Sequence, residues 1–171
     1  IVGLLPPTKG KVLVNDHDVS AVIQQWHRQI AYIPQDAIVV DGSILENVAL
    51  GVRPESVNYD KVISSLEKAQ LLPFVESKSE GVEWRVGEGG VRLSGGQHQR
   101  LVFARAFYFD RDVMILDEAT NSLDAQTEEA INGWLRSLKG SITVIVISHQ
   151  ESGLAFCDRV LEVRNGRVQP R

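Results

Sequence analysis

The 171 residues are 43% apolar and 23% charged, with a net charge of -4 at pH 7, which suits one globular domain with its own hydrophobic core and excludes a disordered or fibrous chain. The slightly acidic balance removes the electrostatic case for nucleic acid, so no nucleic-acid partner is expected. A lone cysteine, Cys157, excludes an internal disulfide and suits a reducing compartment, and apolar runs as short as Ile142 to Ile147 fall well below the ~20 residues of a membrane-spanning helix.

In chain order, the sequence opens at Ile1 without methionine or a signal-peptide pattern, and this start reads as a cut. Ile1 to Leu5, stopped by Pro6 and Pro7, resembles the last turn of a helix. Lys11 to Val14 and a stretch near Val19 flank Asn15-Asp16, predicting a short hairpin. Val22 to Arg28 predicts a helix, and Ile30 to Ile33 a short strand ending at Pro34. Ser43 with Glu46 forms a capping box for a short helix that Gly51 closes. Tyr59, Val62, Ile63, Leu66 and Ala69 recur at helical spacing. Val86 to Gly96 is so rich in glycine that it reads as a loop.

Helix and strand then alternate. Gln97 to Phe109 reads as a buried helix and Val113 to Leu116 as a buried strand. Asp124 caps a helix whose inner face is Ile131, Trp134, Leu135 and Leu138. Ile142 to Ile147 is a β-branched strand, and Val160 to Val163 starts a hairpin turning at Asn165-Gly166. The expectation is an α/β domain with a mostly parallel sheet and a mostly helical insertion at about 43–110, with 1–42 and 111–171 as the remaining core. Such sheets gather ligands at the carboxyl ends of their strands.

The chemistry-bearing residues fall at those ends. Asp117 and Glu118 follow the strand directly, where one carboxylate suits Mg²⁺ and the other an attacking water. His149 stands just past the next strand, able to reach a terminal phosphate if the two strands are neighbours. Gln35 follows Ile30 to Ile33 and Pro34, where an amide reaches a cation or a water. Ser94, Gly95, Gly96 and Gln97 open a helix; two glycines make a costly helix start but let an anion approach its N–H groups. His17, His27 and His98 show no ligand spacing.

Together these segments resemble the nucleotide-binding domain of ABC transporters, along essentially the whole chain. Leu93-Ser94-Gly95-Gly96-Gln97 matches that family's signature sequence, and Val113 to Glu118 resembles its Walker B strand. Ala119 to Asp124 resembles its D-loop, His149 its switch histidine and Gln35 its Q-loop glutamine. Val86-Gly87-Glu88-Gly89-Gly90 and Asp41 to Val48 are similar to segments of exporters, although Gly89 commonly is larger there. Asn121-Ser122 stands where Ser-Ala is more usual.

The resemblance implies a P-loop NTPase-like (RecA-like) fold with a helical signature subdomain, and ATP and Mg²⁺ as cofactors. It implies Glu118 as general base, His149 stabilising the transferred phosphate, and Asp117 and Gln35 serving Mg²⁺. Ser94, Gly95, Gly96 and Gln97 would contact the nucleotide of a second, head-to-tail nucleotide-binding domain. Asp124 would couple the two sites, and Glu88 and Gln35 would lie near transmembrane domains at the cytoplasmic face. The reaction implied is ATP hydrolysis, without a P-type phosphoenzyme, coupled to transport.

The phosphate-binding pattern Gly-x₄-Gly-Lys-Ser/Thr is not met by the tempting Gly10-Lys11, which has Leu5 at the first glycine position and Val12 at the hydroxyl position. The resemblance places the true loop upstream, so the chain is expected to lack its N-terminal strands and phosphate loop and to be inactive alone. Three other readings stay open: a soluble ABC ATPase of DNA repair or translation, a non-catalytic regulatory module, and a structural piece without activity.

Overall fold

Alternation along three parallel strands organises the molecule. A computed structural model describes every residue except Ala37, Gln150, Glu151, Asn165 and Gly166, and the side chain of Ser152. After a small hairpin, β1 (Leu13–Val14) with β2 (His17–Asp18), come α1 (Ile23–Gln29) and β3 (Ile30–Ile33). The helices α2 (Ile44–Val48), α3 (Tyr59–Lys68), α4 (Leu72–Glu76) and α5 (Gly95–Phe109) follow. Then come β4 (Val113–Asp117), α6 (Ala125–Ser137), β5 (Thr143–Ile147) and a hairpin of β6 (Leu161–Arg164) with β7 (Arg167–Pro170). The expected turn of that hairpin, Asn165-Gly166, lies outside the described residues.

The sheet order is β3-β4-β5, all parallel, with Ile33 opposite Leu116 and Asp117 opposite Ile147. Successive side chains in a strand point to opposite faces. Met114 and Leu116 of β4 therefore join the main core with Ala31, Ile33, Val144 and Val146, under α5 and its neighbours. Val113 and Ile115 face the other way into a smaller cluster with Val19, Trp26 and Ile145. Burial on both faces explains why Val113 to Leu116 is continuously apolar rather than alternating.

The helical insertion packs on one side of the sheet through α5, which contacts α2, α3 and β3. Leu101 and Phe103 are fully buried there. The α2 capping box forms in full: Ser43 Oγ accepts from Glu46 N at 3.2 Å and Ser43 N donates to Glu46 Oε2 at 2.7 Å. On α3, Val62 and Leu66 are buried, while Tyr59 and Ile63 flank the apolar stripe and stay exposed.

Two expectations are corrected. Ile1 to Leu5 forms no helical turn: Gly3 adopts φ +80°, outside the right-handed helical region. The segment instead lies on α1, where Trp26 Nε1 donates to the Ile1 carbonyl at 3.1 Å and His27 Nε2 to that of Val2 at 2.9 Å. Second, the glycine-rich stretch 86–96 is not loop throughout. Glu88–Gly90 makes one 3₁₀ turn, and α5 already begins at Gly95 because Ser94 supplies its cap.

Candidate catalytic site at the strand ends

Glu118 follows the last residue of β4 and turns the chain out of the sheet, with φ +49°. Its N–H still donates to the Ile147 carbonyl at 2.9 Å, which fixes it against the end of β5. Because Asp117 pairs with Ile147, the residues just past both strands emerge side by side. His149 Nε2 thereby reaches Glu118 Oε1 at 2.9 Å, with the imidazole 86% exposed and the carboxylate side chain 18% exposed. Glu118 Oε2 accepts from Asn121 Nδ2, also at 2.9 Å. One carboxylate is thus held through each oxygen by a different segment.

Asp117 is approached from the other neighbour. Tyr32 on β3 donates its hydroxyl to Asp117 Oδ2 at 2.9 Å, and this bond to a carboxylate pushes the Tyr32 phenol above its ordinary value. Gln35 is exposed two residues beyond Ile33, at the same end of the sheet. Among the described residues no three His, Cys, Asp or Glu side chains cluster as a metal site. A hard cation that keeps water and phosphate oxygens as most of its shell needs only one or two protein donors, and Asp117 with Gln35 offers that number. Both side chains carry the hard oxygen donors that suit Mg²⁺.

The helix-opening segment occupies a separate place. Ser94 Oγ accepts from Gln97 N at 3.3 Å and Ser94 N donates to Gln97 Oε1 at 2.9 Å. Ser94 and Gly95 are exposed and Gly96 and Gln97 half-buried. A Cβ on Gly95 would meet open space, whereas one on Gly96 would come within 3.3 Å of the Ser122 carbonyl. The start of α5 therefore lies against the loop 119–124. No hydrogen bond among the described residues joins Ser94, Gly95, Gly96 or Gln97 to Glu118 or His149.

Asp124 caps α6, accepting from Thr127 N at 3.0 Å and Thr127 Oγ1 at 2.7 Å. These bonds hold its carboxyl below the ordinary value, with Arg100 adding a smaller attraction. Glu88 is exposed in its 3₁₀ turn. That turn is anchored by two contacts: Val86 N donates to the Gly42 carbonyl at 3.0 Å, and His98 Nε2 to the Gly90 carbonyl at 2.8 Å.

Sequence reasoning gave no role to His98, Asn121, Tyr32 or Arg105. The side chain of Arg105, on α5, ties the segment before α2 to α2 itself. It donates to the Asn47 carbonyl at 2.9 Å, the Ile38 carbonyl at 3.0 Å and Asn47 Oδ1 at 3.2 Å. Burial lowers the pKa of this guanidinium.

The parallel sheet with helices packed against it is a P-loop NTPase-like fold, with the Asp117-Glu118 pair and His149 at the ends of its strands. The family described as ABC transporter matches residues 1–121. An ATP-dependent lipid A-core flippase of Cupriavidus pinatubonensis (strain JMP 134 / LMG 1197) is 36% identical over 174 aligned residues, covering 98% of this chain and 30% of that protein. The ABC-type transporter fsqE of Aspergillus fumigatus is 31% identical, covering 95% of this chain and 13% of that protein. A bacterial Atm1-family ABC exporter solved with ATP bound superposes with a TM-score of 0.91 at 28% identity, covering 98% of this chain and 30% of that one. The chain belongs to the ABC transporter family. It spans about 30% of the length of the flippases it matches, and no described helix is long and apolar enough to cross a membrane.

Proposed function

We propose that this chain is the ATP-hydrolysing domain of an ABC exporter, working with ATP and Mg²⁺. The observation that carries the reading is the 2.9 Å contact between Glu118 Oε1 and His149 Nε2 at the ends of adjacent parallel strands. Phosphoryl transfer to water needs a positioned base and charge stabilisation more than covalent chemistry. Glu118 takes the proton from the attacking water, and the exposed His149 ring holds the carboxylate while facing the transferring phosphate. Asp117 and Gln35 hold the cation, which supplies charge neutralisation when bound.

The separation of Ser94, Gly95, Gly96 and Gln97 from Glu118 supports a role toward the nucleotide of a second, head-to-tail domain, where exposed N–H groups at the start of α5 meet an anion. Asp124 then lies at the interface between the two domains. Glu88, in the anchored turn beside the exposed Val91, faces transmembrane domains, which place the domain at the cytoplasmic face of a membrane. The matched flippases and the Atm1-family exporter favour export over a soluble ABC ATPase. The 171 residues hold no Gly-x₄-Gly-Lys-Ser/Thr pattern, so hydrolysis requires a phosphate loop from outside them.

The test compares Mg-ATP hydrolysis by this chain and by the natural full-length protein, with and without Glu118→Gln. Turnover in the full-length protein that Glu118→Gln abolishes while ATP still binds is the expected result. Turnover surviving Glu118→Gln would overturn the assignment of the base, and turnover by the chain alone would mean that the phosphate site lies within it.

A further inference from the structure

Glu118 is a flexible side chain at the end of a strand, and a base works only when its oxygen is held where the water arrives. His149 fixes one oxygen from the β5 side. The other is fixed by Asn121, three residues on in the same loop, whose own N–H closes a turn on the Glu118 carbonyl at 3.3 Å. The side chain of Asn121 thus returns to the carboxylate of the residue that its backbone already contacts. Its amide carries no charge, so it orients the carboxylate without neutralising it.

We propose that Asn121 is a positioning residue for the Glu118 carboxylate, which makes the setting of the base depend on the loop 119–124. The dependence follows from what else that loop touches. The Ser122 carbonyl lies against Gly96 at the start of α5, and Asp124 caps α6. A displacement of either helix start shifts the loop and so the amide on Glu118. The inference rests on the proposed role of Glu118 and adds a determinant to it.

Asparagine and aspartate have nearly the same shape and both suit turns, but aspartate has no N–H to donate. Three variants of the natural full-length protein separate positioning from turn-making: Asn121→Asp, Asn121→Ala and Asn121→Gln. The measurements are kcat and KM for ATP, with a thermal melt of each variant. The expectation is that Asn121→Asp and Asn121→Ala lose about tenfold or more in kcat, the scale of one hydrogen bond to a charged acceptor. KM changes little, and Asn121→Gln, which keeps the donor, recovers part of the loss. Wild-type kcat in Asn121→Asp would overturn the proposal, as would equal losses in all three variants that track a lowered melting temperature. Glu118→Gln, run in parallel, tells the two failures apart: if it stays active the base itself is misassigned, and if it is inactive beside a fully active Asn121→Asp only the role of Asn121 falls.

Discussion

His149 Nε2 sits 2.9 Å from Glu118 Oε1 because β4 and β5 are paired in a register that ends Asp117 against Ile147. The ring is therefore placed by the sheet register while its side chain stays 86% exposed to solvent. Replacing His149 by alanine leaves Glu118 held by Asn121 alone and, on the proposed mechanism, removes the group assigned to the transferring phosphate. Steady-state hydrolysis by the full-length protein is expected to fall by roughly 10²-fold or more, the usual scale for a positioned proton donor or acceptor. ATP binding should change little. A His149→Ala protein that keeps most of its turnover would remove the histidine from the mechanism.

The ends of the strands were readable because their signals are local. Four apolar residues followed by Asp117-Glu118, and a β-branched run followed by His149, need no partner to be recognised. The same holds for the capping box at Ser43, whose bonds span three residues. Contacts between distant segments left no such trace. Tyr32 and Asp117 are 85 positions apart, and β3 read simply as apolar. The short helix Leu72–Glu76 offers too few residues for any periodicity to show. Asn121 was visible only as a departure from the usual Ser-Ala pair, because its amide finds Glu118 only once the turn has formed.

Gly89 and Gly90 are neighbours with different tolerances. Both have positive φ, +57° and +71°, but a Cβ on Gly89 would meet open space, whereas one on Gly90 would run into the His98 ring. Gly89→Ala should cost about 1 kcal/mol through backbone strain. Gly90→Ala adds overpacking and the loss of the His98 bond, for a total of about 2–4 kcal/mol. Urea unfolding of the chain measures both. Adding His98→Ala to Gly90→Ala should recover part of the cost, and strict additivity of the two changes would contradict the steric cause.

Arg105 holds its positive charge among carbonyls. Among the described residues no carboxylate lies within ion-pairing distance of it, so its contribution is the three bonds to Ile38 and Asn47. Arg105→Ala leaves those acceptors short of donors, and a loss of about 2–4 kcal/mol is expected. Lysine is not an adequate substitute, because one ammonium cannot reproduce the planar fork that spans Ile38 and Asn47. A lysine variant as stable as wild type in urea would show that charge, not geometry, is what the site uses.

Asp124 combines a structural duty with a proposed one, and pH separates them. Its folded pKa is depressed below the ordinary 3.8 by bonds from Thr127. The cap therefore stabilises the fold fully above that value and loses its effect as pH falls through the lower folded value. Asp124→Ala should lower the urea midpoint at neutral pH, and the gap to wild type should close in acid. Asp124→Asn keeps an acceptor that caps a helix nearly as well, so its stability should stay close to wild type with the acid dependence gone. If the carboxylate also couples two domains, Asp124→Asn loses hydrolysis in the full-length protein while remaining stable. A stable and fully active Asp124→Asn would confine this residue to capping α6.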